Sequence, residues 1–259
     1  MNRRKEHAMK TMTRLFAATA AIALWGFSPV PLACGEVDAV ALLDAVDDNE
    51  VFGTISYRGE MIIDYKGKRF VKTMEVKGRG NRDSYIEFTN PEDGGTKYLK
   101  KDGRLYVYSP DTEQVMLISG HMLKESMMGS DLSYEDTIEN ERLSARYVPT
   151  LAGTETFAGR EVWVLDLAAK KKTESYPRQR LRVDRETGDL LHAEYFALSG
   201  ARLKEYTLLK ALPVGGKRFP VESEMRDLLR KGSKTTFLMT DVRIDEPIAD
   251  SVFTTRNLR

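Results

Sequence analysis

A mainly β fold, built on one curved antiparallel sheet, is what this 259-residue sequence predicts. Three observations carry that expectation. From Thr54 onward apolar and polar residues alternate with a period of two, the signature of strands with one buried face. Short turn signals such as "YKGKR", "NPEDGG", "KKDGR" and "SPDTE" separate the alternating runs, as an antiparallel meander requires. Only two stretches read as helical. About eleven strands are too many to stay flat, so the sheet is expected to curl into an incomplete barrel. An N-terminal helix and a central helical lid would cover it.

The N-terminal helix is "EVDAVALLDAVDD" (Glu36–Asp48), where Val37, Val40, Ala41, Leu42 and Leu43 recur at helical spacing opposite a run of acids. In "TISYRGEMIID", Ile55, Tyr57, Met61 and Ile63 share one face. "RFVKTMEVK" places Phe70, Met74 and Val76 on one face, with Lys72 as the exception, and "SYIEFTN" adds Ile86 and Phe88. "GRLYVYSP" and "QVMLIS" are shorter strands. After a central interruption, strands resume with "ARYVPTL", "REVWVLDLAA" and the hairpin "RQRLRVD"–"DLLHAEYF", whose "RETG" turn puts Gly188 where φ > 0 is needed. "RLKEYTLLKAL", "KRFPVESEMRDLL", "KTTFLMTDVRI" and "DSVFTTRNL" complete the strand set. No low-complexity linker or internal repeat divides the chain, so residues 36–259 are expected to form one domain.

The first 35 residues form a basic start to Arg14, an apolar run Leu15–Phe27 and "SPVPLACGE". This is the tripartite pattern of an export signal, too short in its apolar part to span a bilayer. Ala33 and Gly35 favour cleavage after Gly35 over lipidation of Cys34, because Pro31 stands where a lipobox has leucine. The expected mature protein is soluble outside the cytoplasm, in the periplasm of a Gram-negative cell, and without cysteine. Removing five basic residues and one acid leaves 35 basic and 38 acidic residues. That balance is not the footprint of a nucleic-acid binder.

Catalytic motifs are missing: there is no G-x-S-x-G, S-x-x-K, H-E-x-x-H or P-loop. His121 lacks a readable orienting partner, and His192 sits in a strand. Asp131, Glu135, Asp136, Glu139 and Glu141 cluster, but without the alternation and central glycine of a calcium loop. Ser133 and Asp136 instead have the spacing of a capping box. No catalytic residue, metal ligand or cofactor is expected. Arg178, Arg180 and Arg182 line one strand face that could meet a partner.

The central interruption, "HMLKESMMGSDLSYEDTIENE", is rich in methionine on its left and acidic on its right. Methionine is flexible and polarizable, and suits surfaces that fit varied apolar ligands. Met122, Leu123, Met127 and Met128, with Met116 just before, are expected to form the lid side of an apolar cavity. Ile55, Tyr57, Met61, Phe70, Met74, Ile86 and Phe88 are expected to form its sheet side.

Several stretches resemble the outer-membrane lipoprotein-sorting family, the LolA-like periplasmic carriers: "YLKKDGRLYVYSPDTEQVMLISGHMLKESMMGSDLSYED", "RVDRETGDLLHAEYF", "GKRFPVESEMRD" and "FLMTDVRIDEPIADSVFTTRNL". The resemblance implies a half-barrel whose cavity takes acyl chains of lipoproteins or lipids, without enzymatic activity or cofactor. It further implies lipid or lipoprotein cargo, an inner-membrane exporter as donor, an outer-membrane acceptor and transient membrane contact. The best-known carriers latch the lid with an arginine on an early strand. Arg58 is the only arginine in "TISYRGEMIID", but the alternation points it away from the apolar face. Two alternatives stand beside the carrier: a lipid-sensing periplasmic regulator on the same fold, and a hydrolase or isomerase of apolar substrates.

Overall fold

Thirteen strands form a single antiparallel sheet in a computed structural model that describes residues 37–49, 52–139 and 141–259. The expected signal segment, its cleavage after Gly35 and Cys34 lie outside these residues. In chain order the strands are β1 Thr54–Tyr65, β2 Lys68–Arg79, β3 Asp83–Phe88, β4 Lys97–Lys101, β5 Arg104–Ser109, β6 Gln114–Ile118, β7 Tyr147–Phe157, β8 Arg160–Ala169, β9 Arg178–Asp184, β10 Leu190–Phe196, β11 Arg202–Val214, β12 Lys217–Asp227 and β13 Lys234–Ile244. Helix α1 is Ala39–Asn49, and the short helices α2 (Tyr134–Ile138) and α3 (Leu143–Arg146) lie in the central connection.

The spatial order is β6-β5-β4-β3-β2-β1-β13-β12-β11-β10-β9-β8-β7. The last strand returns to pair with the first, Met61 opposite Phe237, and the sheet stays open between β6 and β7. Every neighbouring pair is antiparallel, so strands an even number of steps apart run the same way. The edge strands β6 and β7 therefore run in the same direction. A tight turn cannot join them; the connection must travel back along the length of the sheet, as any same-direction crossover must. This is the physical reason that a β protein interrupts itself at residue 119. The interruption crosses the open side of the half-barrel and becomes its lid.

The register sets the faces. Tyr57 pairs with Val76, and Val76 with Ile86; Met74 pairs with Phe88. These side chains share the concave face. On the β1–β6 wing, Met61, Ile63, Met74, Val76, Phe88, Tyr98, Leu105, Val107 and Ile118 pack against Met127 of the lid. On the other wing, Leu165, Leu167, Leu181, Val183 and Ala193 pack against Leu43 and Val46 of α1 and Tyr147.

Three expectations need correction. The strand count is thirteen: Lys97–Lys101, five residues between two turn signals, is a strand with Tyr98, Leu99 and Lys100 buried. The terminal "DSVFTTRNL" is not a strand but two 3-10 turns, Asp250–Phe253 and Thr255–Leu258. Phe253 and Leu258 pack on Tyr85 and Leu99 on the outer face, so apolar residues expected in a strand cap the sheet from outside. The methionine patch is not one helix either. It is two 3-10 turns, Gly120–Lys124 and Met127–Gly129, with Met128 at φ 52°. Gly129 ends the second turn, at φ 80°.

Candidate functional site

A cavity of about 740 Å³ lies between the two covered wings, over the central strands. Its apolar wall is built by alternation along β1–β3 (Ile55, Tyr57, Met61, Met74, Val76, Ile86) and along the returning strands (Phe219, Met225, Phe237), with Leu181, Leu190 and Tyr195 from β9 and β10. Met127, Leu132 and Leu143 of the connection face it. Burial pushes the Tyr57 phenol up to about 12, so the hydroxyl stays neutral at this wall.

The rest of the lining is polar and highly organised. Asp136 of α2 accepts hydrogen bonds from Lys204 Nζ at 2.6 Å, Tyr176 Oη at 2.7 Å, and the Ser133 amide and hydroxyl at 2.8 Å. Burial pushes its carboxyl up, but Lys204 and these donors outweigh that and hold it below the usual range. The capping box at Ser133–Asp136 is present. Arg146 donates to Glu174 and pairs with Glu139 at 3.0 Å. Lys100 Nζ donates to the Glu139 carbonyl at 3.0 Å, and its burial lowers its pKa to about 8. From α1, Asp47 accepts from the Leu143 and Ser144 amides at 2.8 and 2.9 Å, satisfying the open N-terminus of α3.

The front of the lid is fastened to the β12–β13 turn. The buried Asp131 carboxylate accepts from Thr235 Oγ1 at 2.6 Å, Ser233 Oγ at 2.9 Å and the Asp227 amide at 3.0 Å. Arg230 donates to the Gly129 carbonyl at 3.0 Å, to the Ser130 carbonyl and to Ser126 Oγ. Its guanidinium lies over the Tyr65 ring. Arg58, the arginine on the early strand, points outward to Asp241 with both side chains well exposed. Arg230, which no alternation pattern singles out, is the arginine that touches the lid.

Six of the residues expected at the cavity line it: Ile55, Tyr57, Met61, Met74, Ile86 and Met127. Phe88 is fully buried beneath them, and Leu123 and Met128 pack against the same cluster. The Tyr98 hydroxyl donates to Met128 Sδ. Three others are placed away from the cavity. Phe70 is on the concave face but near the open end of β2, at 48% exposure; Met116 lies on the edge strand β6 at 45%; Met122 faces solvent from the first 3-10 turn at 36%. Alternation identifies a face but not how far along a strand the cover reaches. Phe219, Met225 and Phe237 were missed, although alternation in "RFPVESEM" marks the first two. The polar wall was missed because its long-range partners lie 28 to 97 residues apart.

The arginine face of β9 is already occupied. Arg180 pairs with Asp166, Arg182 with Glu155 and Glu194, and Arg178 lies over Phe196. His192 donates to or accepts from Thr207 Oγ1 at 3.0 Å, and burial lowers its pKa. It lies near Glu194 and Glu205, whose carboxylates are held by Arg182 and Arg202. No described helix is long and apolar enough to cross a membrane.

The fold has relatives of known structure. A DUF1329 family protein from Desulfovibrio piger matches with a TM-score of 0.78 and 27% identity, over 85% of this chain and 98% of that one. A domain from Vibrio parahaemolyticus, described as an outer membrane lipoprotein-sorting protein, matches at 0.76 and 22% identity, over 85% and 97%. A LolA superfamily protein from Nitrosomonas europaea matches at 0.70 and 20% identity, over 85% and 98%. No curated protein matches the chain in sequence. A family model described as "uncharacterized protein" covers residues 80–259, from the turn after β2 through the lid to the C-terminal turns. With more than half of its length inside that match, the chain belongs to this family, and its half-barrel and lid are the LolA-like fold.

Proposed function

We propose that the protein is a non-enzymatic carrier in the cell envelope that takes acyl chains into the cavity between sheet and lid and hands them on. The observation that carries this reading is the cavity itself: an apolar wall from seven strands, roofed by Met127 and Leu132 on a connection that is fastened by side chains rather than by a continuous helix. Its volume sits within the ~300–1,000 Å³ range of small-molecule sites. That is room for the lipid part of a lipoprotein, not for its protein part. Burial of acyl chain supplies the affinity, at about 0.8 kcal/mol per CH₂, and no cofactor takes part.

The similarity to a lipoprotein-sorting domain and a LolA superfamily protein supports lipid or lipoprotein as the cargo and the periplasm as the place. The donor is then an inner-membrane exporter and the acceptor lies at the outer membrane. In the regulator alternative the β9 arginines would be the docking face; their existing ion pairs give that reading no support. Native mass spectrometry of gently purified protein, followed by titration of the delipidated protein with a fluorescent fatty-acyl probe, tests the carrier. Copurifying lipid and saturable probe binding that Ile86→Glu abolishes are expected. A folded protein that takes up no probe would end the reading.

A further inference from the structure

We infer that the β12–β13 turn is a membrane-docking tip that also holds the lid, so that seating on an anionic lipid surface releases the lid. This rests on the carrier reading and adds to it where the lid is controlled and by what.

The topology places the β1–β2, β10–β11 and β12–β13 turns side by side at one end of the sheet. Arg230 lies over Tyr65, and the Leu228 amide donates to the Leu203 carbonyl at 2.8 Å. Two of these turns carry a bare leucine at their tip: Leu198 is 89% exposed and Leu229 73%. These exceed every other exposed large apolar side chain among the described residues. Exposed Lys66 and Lys68 at the β1–β2 turn and exposed Lys231 in the β12–β13 turn make no ion pair among the described residues. The nearby acids are already engaged: Asp64 by Arg69, Glu224 by Arg226 and Lys234, and Asp227 by the Leu229 amide and its own turn. Toward the β6 edge the same end turns acidic, with Glu92, Asp93, Asp111 and Glu113, so the docking end is one-sided. Isolated apolar tips among unpaired lysines are the pattern of an interfacial anchor on anionic lipid.

The β12–β13 turn, with the end of β12, also fastens the lid. Arg230 stands beside Leu229 and spends its donors on Gly129, Ser130 and Ser126; Ser233 and the Asp227 amide hold Asp131. Lipid phosphate is a better acceptor for a guanidinium than neutral carbonyls are. With Leu229 seated among headgroups, Arg230 exchanges the lid for phosphate and the front of the lid comes free where cargo must pass.

Flotation of the purified protein with phosphatidylethanolamine–phosphatidylglycerol vesicles tests this, with phosphatidylcholine vesicles as control. Hydrogen exchange across residues 126–133 is read on and off the vesicles. The wild type is expected to float only with the anionic vesicles, less so in high salt, and its lid amides to exchange faster there. Leu229→Asp should keep the wild-type circular dichroism and melting temperature, since the side chain is exposed, and lose roughly tenfold or more in vesicle binding. Arg230→Gln should speed lid exchange without vesicles. A wild type that does not float, a Leu229→Asp protein that floats equally well, or lid exchange unchanged by vesicles would each overturn the inference. Probe binding in solution separates the two ideas: a protein that binds the acyl probe but ignores vesicles remains a carrier with its docking surface elsewhere.

Discussion

The left half of the connection, residues 120–129, and the right half, residues 130–146, do opposite work. The methionine-rich left half inserts one side chain, Met127, deep into the wing beneath it and leaves Met122 in solvent. Apart from the Arg230 bonds to Ser126 and Gly129, the acidic right half makes the fastenings: Asp131 to β12 and β13, Asp136 to Lys204 and Tyr176, and α3 to Asp47 of α1. From composition alone the methionines look like the functional feature and the acids like a solvated helix cap. In the structure the acids hold the lid in place, and of the left-half methionines only Met127 lines what the lid encloses. Directional, charge-assisted bonds can specify one position for a short irregular segment; nondirectional apolar contacts cannot.

The largest effect should therefore come from the acidic half. Asp131→Ala leaves two hydroxyls and an amide without their buried acceptor, at an expected cost of about 3 kcal/mol in urea unfolding. A loss below half of that would mean that the two halves matter alike. Lys100 comes next, because it is buried against Glu139 at the end of the acidic half. Its folded pKa of about 8 lies below its ordinary 10.5. Between those values the unfolded chain binds the extra proton, so stability should rise with pH across that window. Lys100→Met should stabilise the protein at neutral pH by on the order of 2 kcal/mol and flatten that rise, as followed by thermal melts at stepped pH.

In the left half, Met127→Ala should cost about 2 kcal/mol, the low end for a buried methionine, because one side of it already faces the cavity. A loss near 5 kcal/mol would make it ordinary core. Met122→Ala should change stability by less than about 0.5 kcal/mol and leave acyl-probe affinity alone. A tenfold loss of affinity would restore Met122 to the binding surface. The smallest effect belongs to Arg58→Ala: an exposed ion pair with Asp241 is worth about 0–1 kcal/mol, and lid exchange should not change.

What the sequence determined by itself is the sheet and its faces. Period-two alternation fixes which side of β1, β2 and β3 is concave, because the pleat leaves no other choice, and Ile55, Tyr57, Met61, Met74 and Ile86 all reach the cavity. The helix at residues 39–49 and the capping box at Ser133 were legible for the same reason: each is set by residues within a few positions of one another. Tertiary structure alone decided the rest. That β6 and β7 run the same way, and so need a crossing lid, follows from β13 returning to β1. That Arg230 rather than Arg58 touches the lid, and that Asp131 is buried, depends on partners about a hundred residues away in the chain. Phe253 and Leu258 lie in a run that reads as a strand yet cap the outer face, because what they bury is the face of the sheet, an apolar patch around Tyr85 and Leu99, rather than a strand edge.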